Sequence, residues 1–140
     1  MKNLRSILFS LGVLLMATAA QAQQTNVKAD VPFDFVVGNQ AYPAGDYSVK
    51  SISGNDIPIL INNDQESSKG IVLSNTCMLA APSATTKLVF HRLGDRYFLY
   101  QVWTQGNPAG REFRMSKTEL QLAHSQPKPE LVIVAANISR

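Results

Sequence analysis

The stretch VPFDFVVGNQAYPAGDYSVK, residues 31–50, decides the fold. Val31, Phe33, Phe35 and Val37 alternate with Asp30, Pro32, Asp34 and Val36, the two-residue rhythm of a half-buried strand. Burial of each phenylalanine contributes about 1.5–3 kcal/mol. Pro32 has no N–H, so the strand either lies at a sheet edge or starts its pairing after that residue. Gly38-Asn39 turns the chain at little cost. Pro43 then presets its φ, Gly45 supplies a geometry that a β-carbon would penalise, and Tyr47, Val49 and Ser51 continue as a second strand. The glycines and the proline serve backbone geometry. The stretch marks a fold and carries no catalytic group.

Ahead of it, Lys2 and Arg5 precede an apolar run from Ile7 to about Ala17, followed by small residues ending in Ala20-Gln21-Ala22. A basic start, a short apolar middle and an Ala-x-Ala end make a secretory signal peptide over 1–22. The run is shorter than the roughly 20 residues of a membrane-spanning helix. The residue directly after the proposed cut at Ala22 is Gln23, not a cysteine, so no lipid anchor is expected at that point. The sequence therefore predicts export, to the periplasm or beyond the cell, with no membrane span after the leader is removed. A flexible N-terminus over 23–27 and a single β-rich domain over 28–140 are expected. Removing Lys2 and Arg5 from the 13 basic residues leaves 11 against 10 acidic ones, a net charge of +1 where the full chain has +3. That balance gives no electrostatic footprint for nucleic acid. Cys77 is the only cysteine, so no internal disulfide forms, and stability must come from the core. Its setting, GIVLSNTCMLA, reads as that of a small buried hydrophobe.

Downstream, Ile57, Ile59 and Ile61 alternate with Pro58, Leu60 and Asn62, and Asn62-Asn63-Asp64 with Ser67 and Ser68 form a polar loop. A strand resumes at Ile71 and runs toward Leu79. Lys87 to Arg92 is strand-like, and Gly94-Asp95 is the centre of a tight hairpin turn. The returning RYFLYQVW is the most aromatic segment, with Phe98, Tyr100 and Val102 on one face and Tyr97, Leu99 and Trp103 on the other. A strand apolar on both faces is central or covered on both sides. Ser116-x-x-Glu119 is a capping box that opens a short helix over 116–124, with Met115 and Leu120 at the staple positions. Pro127 and Pro129 stop it. LVIVA, 131–135, reads as a last strand in the sheet interior.

Four pieces, PFDFVVG, YPAGDYSV, LVFHRLGDRYFLYQVW and GREFRMSKTEL, together resemble a group of short exported bacterial proteins to which no function is assigned. The resemblance covers most of residues 28–124. It implies export and a shared β fold, and it brings no catalytic or ligand-binding residue with it.

Candidate chemistry is sparse. His91 and His124 have no cysteine or histidine at metal-ligand spacing, so no metal or other cofactor is expected. Ser125-Gln126-Pro127-Lys128 matches S-x-x-K by letter, but Pro127 breaks the helical turn that would bring Lys128 to Ser125. Asp34, Asp46, Asp56 and Asp95 sit on strands and turns, where aspartate serves the backbone, and do not form a glycosidase pair. Two groups could touch a ligand or partner. Trp103, Tyr97 and Tyr100 could make a stacking platform. Arg111 and Arg114, with Lys117 nearby, could dock an acidic partner, a polysaccharide or lipid headgroups.

The expected fold is a single antiparallel β-sandwich or small closed β-barrel of about seven or eight strands with one short helix. The expected function is that of an exported, non-catalytic module, binding or structural, whose partner is a cell-envelope component or polysaccharide. The alternatives are a small β-barrel that binds an apolar or carbohydrate ligand, and a hydrolase with a dispersed site.

Overall fold

The computed structural model describes residues 26–53, 58–126 and 128–139. The proposed leader, most of the 23–27 segment, Ile57, Asp56 and Pro127 lie outside the described residues. The strands are β1 (Asn26–Val31), β2 (Phe35–Val37), β3 (Gln40–Tyr42), β4 (Gly45–Ser51), β5 (Pro58–Asn63) and β6 (Lys69–Met78). After them come β7 (Lys87–Leu93), β8 (Arg96–Trp103), β9 (Ala109–Phe113), helix α1 (Lys117–Ser125), β10 (Glu130–Ala135) and β11 (Asn137–Ser139). Among the described residues the fold is mainly β and sandwich-like, with eleven strands in place of the expected seven or eight, and the sheet they form is not closed. The difference comes from β3, β9 and β11, which lie outside the segments read as strands, and from the first expected strand, which divides into β1 and β2.

Two neighbouring layers share strands at their corners. β11, β1, β4 and β5 lie side by side in one layer, and β10, β7, β8 and β9 in the other, with the β2–β3 hairpin alongside β8. β6 joins the layers: Lys69–Leu73 pair with β5, and Ser74–Met78 pair with β9. At the other corner, β10 pairs with β7, and after Ala136 the chain pairs with β1 as β11. Strands that bend from one sheet into the next make the corners of such sandwiches.

The opening stretch thus holds a crossing that the alternation alone does not reveal. Its first strand divides at Pro32: β1 pairs with β4 and β11 in one layer, whereas β2 pairs with β3 and β8 in the other. Proline ends the first ladder because it lacks a donor. Asp34 then holds the corner, its carboxylate accepting the Ala44 N–H at 2.9 Å. Gly38-Asn39 makes the predicted turn and closes a two-residue hairpin, with Gly38 at φ 59, and Gly94-Asp95 makes the predicted hairpin turn, with Gly94 at φ 61. Tyr47 explains the rest of the motif. Its ring is buried and its hydroxyl donates back to the Pro43 carbonyl, while Asn63 Nδ2 donates to the Tyr47 hydroxyl oxygen at 3.1 Å. The arrangement resembles the tyrosine corner of β-sandwiches, which pins a strand entrance to the core. Gly45 has φ 155, a conformation that side-chain-bearing residues rarely adopt. Gly45→Val is expected to lower stability by roughly 1–3 kcal/mol, read as a fall in denaturation midpoint; an unchanged midpoint would refute this account of the corner.

The core is unevenly filled. Phe33, Phe35, Tyr42, Tyr47, Phe90 and Tyr97 form one connected aromatic cluster, from a stacked Phe33–Tyr97 pair at 3.8 Å to an edge-on Tyr42–Tyr47 pair at 5.9 Å. Such pairs are worth about 0.5–1.5 kcal/mol each beyond the area they bury. Elsewhere between the layers the buried residues are mostly aliphatic, among them Val27, Val49, Ile59, Ile61, Leu88 and Val102.

One expected element takes a different place. β10, the LVIVA strand, pairs only with β7 among the described residues and stands at the end of the sheet path. Leu131 and Ile133 project from it largely exposed, while Val132 and Val134 pack against the core. An unbroken apolar run reads as burial on both faces, but here the outward side chains of the run are uncovered.

Candidate functional site

The most concentrated chemistry lies on the outer face of the layer that contains β7, β8 and β9, beneath α1. Ser116 opens the helix as predicted, its hydroxyl accepting the Glu119 N–H at 3.1 Å. The second half of the box is used differently. The Glu119 carboxylate reaches across to β7, where its Oε1 lies 2.8 Å from His91 Nδ1. Both side chains are buried. Glu119 is the only fully buried residue of the helix, so a hydrogen-bonded polar pair does much of the docking.

A β-bulge arranges the rest. Val89 pairs with Gln101 and Phe90 with Leu99, so Tyr100 is an extra residue in β8. A bulge of this kind re-aims side chains. Leu99 and Val102, three residues apart, both pack in the core, and Tyr100 stacks on the His91 ring with centroids 4.0 Å apart. The strict two-face division expected for RYFLYQVW therefore breaks at Tyr100: Tyr97 and Leu99 stay on the inner side, and Val102 joins them. Gln101 donates to Glu112 of β9 at 2.9 Å and accepts from Trp103 Nε1 at 3.1 Å. Burial, then the neighbouring Glu112 carboxylate to which it is hydrogen-bonded, raises the Tyr100 phenol above its ordinary pKa, so it stays protonated. Cys77, half-buried and not fully buried as expected, is likewise raised by burial first and Glu112 second. At neutral pH it is a thiol, not the thiolate a nucleophile needs.

The five candidate contact residues do not converge. Trp103 is buried, and its ring lies where a β-carbon on Gly110 would stand. Tyr97 is sandwiched between Phe33 and the Arg92 guanidinium, the latter 5.8 Å from its ring centre. Tyr100 faces His91 under the helix. Arg111 donates to Thr76 Oγ1 at 2.8 Å and lines a cleft between the layers, and Arg114 is exposed. Ser125 donates back to the Gln121 and Leu122 carbonyls at 3.3 and 3.1 Å, a helix-end use of its hydroxyl. His124 is exposed. Among the described residues, no group of three or more His, Cys, Asp or Glu side chains could hold a metal ion. No helix of these residues is long and apolar enough to cross a membrane.

Sequence reasoning missed Glu119 as the partner of His91, because the pair is 28 residues apart. A histidine within an otherwise apolar strand does signal that some partner must exist. Reasoning from the sequence also missed the cleft. Val27, Val49 and Ile59 of one layer face Val102 and Ala109 of the other, with Ser51, Thr104, Asn107 and Arg111 among its polar members. Its volume is about 140 Å³.

Compared with known proteins, the chain matches no family model, no curated protein and no solved structure.

Proposed function

We propose that this is an exported, non-catalytic β-domain of the cell envelope, a binding or structural module that works in the periplasm or outside the cell. The reading of residues 1–22 as a signal peptide supports export. The observation that carries the rest is the engagement of the chemically capable side chains within the scaffold. His91 and Glu119 hold α1 to β7, Tyr100 stacks on His91, Gln101 joins Trp103 to Glu112, and Tyr47 with Asn63 fixes the Pro43 corner. Each of these groups has a structural partner at bonding distance.

The mature protein is to be assayed against a panel of ester, amide, glycoside and phosphoester substrates, alongside a His91→Gln variant. No turnover above background is expected from either protein. Turnover by the native chain that His91→Gln removes, while the fold persists by circular dichroism, would overturn the non-catalytic reading.

A second reading, a β-domain that holds a small apolar or carbohydrate ligand, draws on the inter-sheet cleft.

A further inference from the structure

We infer that the outer face of β4, β5 and β6 docks on an anionic phospholipid surface; this rests on the envelope-module reading and names the partner. Val49, Ile59 and Ile61 point into the core, so the residues that alternate with them point away from it. On β6, Ile71 and Leu73 stand 64% and 67% exposed, and Ile52, just past β4, stands 41% exposed. The register gathers these side chains into one patch. Leu60 pairs with Ile71 and Pro58 with Leu73, and the Ile52 N–H donates to the Pro58 carbonyl at 3.2 Å. A single bare apolar side chain is ordinary, whereas a contiguous group of them marks an interaction surface.

The charges say what covers the patch, because they are ordered along the strands. Successive rows on one face of a sheet are two residues, about 6.6 Å, apart. Ile52, Pro58 and Leu73 make the first row, and Lys50, Leu60 and Ile71 make the second. Lys28, Ser48, Asn62 and Lys69 make the third. The carboxylates lie beyond it: Asp30 is paired with Asp46, and Asp64 and Glu66 follow β5. Asp64 reaches back to Lys28 at 3.6 Å, so the exposed Lys50 and Lys69 carry the cationic belt. Apolar, basic and acidic groups thus succeed one another over about 20 Å. An anionic bilayer offers the matching order of hydrocarbon, phosphate and water. Tilted so that the Leu73 row enters first, the face sinks by the roughly 5–10 Å typical of interfacial elements. Leu73 and Ile71 then leave water, the lysine stems follow apolar surface up to the phosphates, and the carboxylates stay in solvent.

The test is co-sedimentation of the mature protein with vesicles of phosphatidylcholine alone and of its equal mixture with phosphatidylglycerol. Binding to the mixed vesicles and not to the neutral ones is expected, and it should weaken as salt rises. Lys50→Gln with Lys69→Gln should lower the affinity roughly 30-fold, about fivefold for each cation near the surface. Ile71→Thr with Leu73→Thr, which keeps strand-favouring residues at exposed positions, should abolish binding while circular dichroism shows an intact fold. Leu73→Thr alone takes its place, with a partial loss, if the double variant does not fold. Leu131→Thr with Ile133→Thr, on the other layer, should bind as the native chain does. Equal binding to both vesicles, binding to neither, or binding that survives the folded β6 variant would overturn the inference. So would a concentration-dependent dimer that Ile71→Thr with Leu73→Thr dissolves, since the face would then belong to a second copy. None of these outcomes touches the envelope-module reading, which falls instead on the turnover assay above.

Discussion

Glu119→Ala is expected to cost about 3 kcal/mol, near the lower end of what removing one partner of a buried pair costs. The substitution leaves His91 Nδ1 under the helix without the carboxylate that lies 2.8 Å from it. It also strips α1 of its one fully buried side chain. The Ser116 cap survives, because that bond uses the Glu119 backbone N–H. The loss is therefore one of docking and not of helix initiation. For a domain of this size each kcal/mol moves the melting temperature by about 4 °C, so a fall near ~12 °C is expected. Hydrogen exchange should place the effect: amides of 117–125 should exchange far faster, while those of β1, β4 and β5 keep their protection. Pairing Glu119→Ala with His91→Ala should yield a coupling energy of about 1–3 kcal/mol. Additive losses would mean that the two side chains contribute independently and that the helix is held by something else.

The pair also shows where a sequence stops being readable. Ser116 and Glu119 announce a helix start by local rules, and the helix forms there. The box takes Glu119 for the helix's own backbone; the fold gives its carboxylate to a strand 28 residues earlier. The two-residue hairpins at Gly38-Asn39 and Gly94-Asp95 are legible for the same local reason, that a tight turn needs positive φ and glycine supplies it. What is not local is lost. Alternation through 31–37 cannot tell that Val31 and Phe35 belong to different layers, because the rhythm continues across the Pro32 corner. Nor can the period of two register a bulge, so the assignment of Val102 to the face of Tyr100 fails at one inserted residue.

The candidate site was less readable than the fold. Aromatic residues on a central strand can be a platform or a core, and the distinction depends on what lies across from them. Phe33 covers Tyr97, Gly110 receives Trp103, and His91 takes Tyr100. The cleft has no motif because it arises from small side chains on five strands and a loop meeting at one place, a property of the tertiary arrangement alone.

Gly70→Ala is expected to be among the most damaging single-methyl changes in the domain. A β-carbon at Gly70 would stand 2.0 Å from Tyr42 Oη, 2.7 Å from Gln40 Oε1 and 3.2 Å from Tyr42 Cζ. Gln40 is exposed and can swing aside. Tyr42 cannot, since it is 1% exposed and set among Phe35 and Tyr47. Either the ring or β6 must shift, at about 3 kcal/mol, the upper part of the range for overfilled cores. The hydroxyl that causes the clash has no hydrogen-bond partner among the described residues, and an unpaired buried polar group carries a penalty of about 1–3 kcal/mol. Tyr42→Phe alone should therefore leave stability unchanged or raise it, and Tyr42→Phe with Gly70→Ala should recover most of the loss. The pH dependence gives an independent check. Burial first, and then Tyr47, raises the Tyr42 pKa above 10.0. The unfolded phenol ionises before the folded one, so stability falls as pH rises through the ordinary tyrosine value. Tyr42→Phe should flatten part of that alkaline decline, leaving the parts due to Tyr47, Tyr100 and Cys77, whose acidic groups burial raises as well. If Tyr42→Phe instead destabilises the protein by more than about 1 kcal/mol, a typical net hydrogen-bond contribution, the hydroxyl is bonded after all and the close contact with Gly70 is not what governs this part of the core.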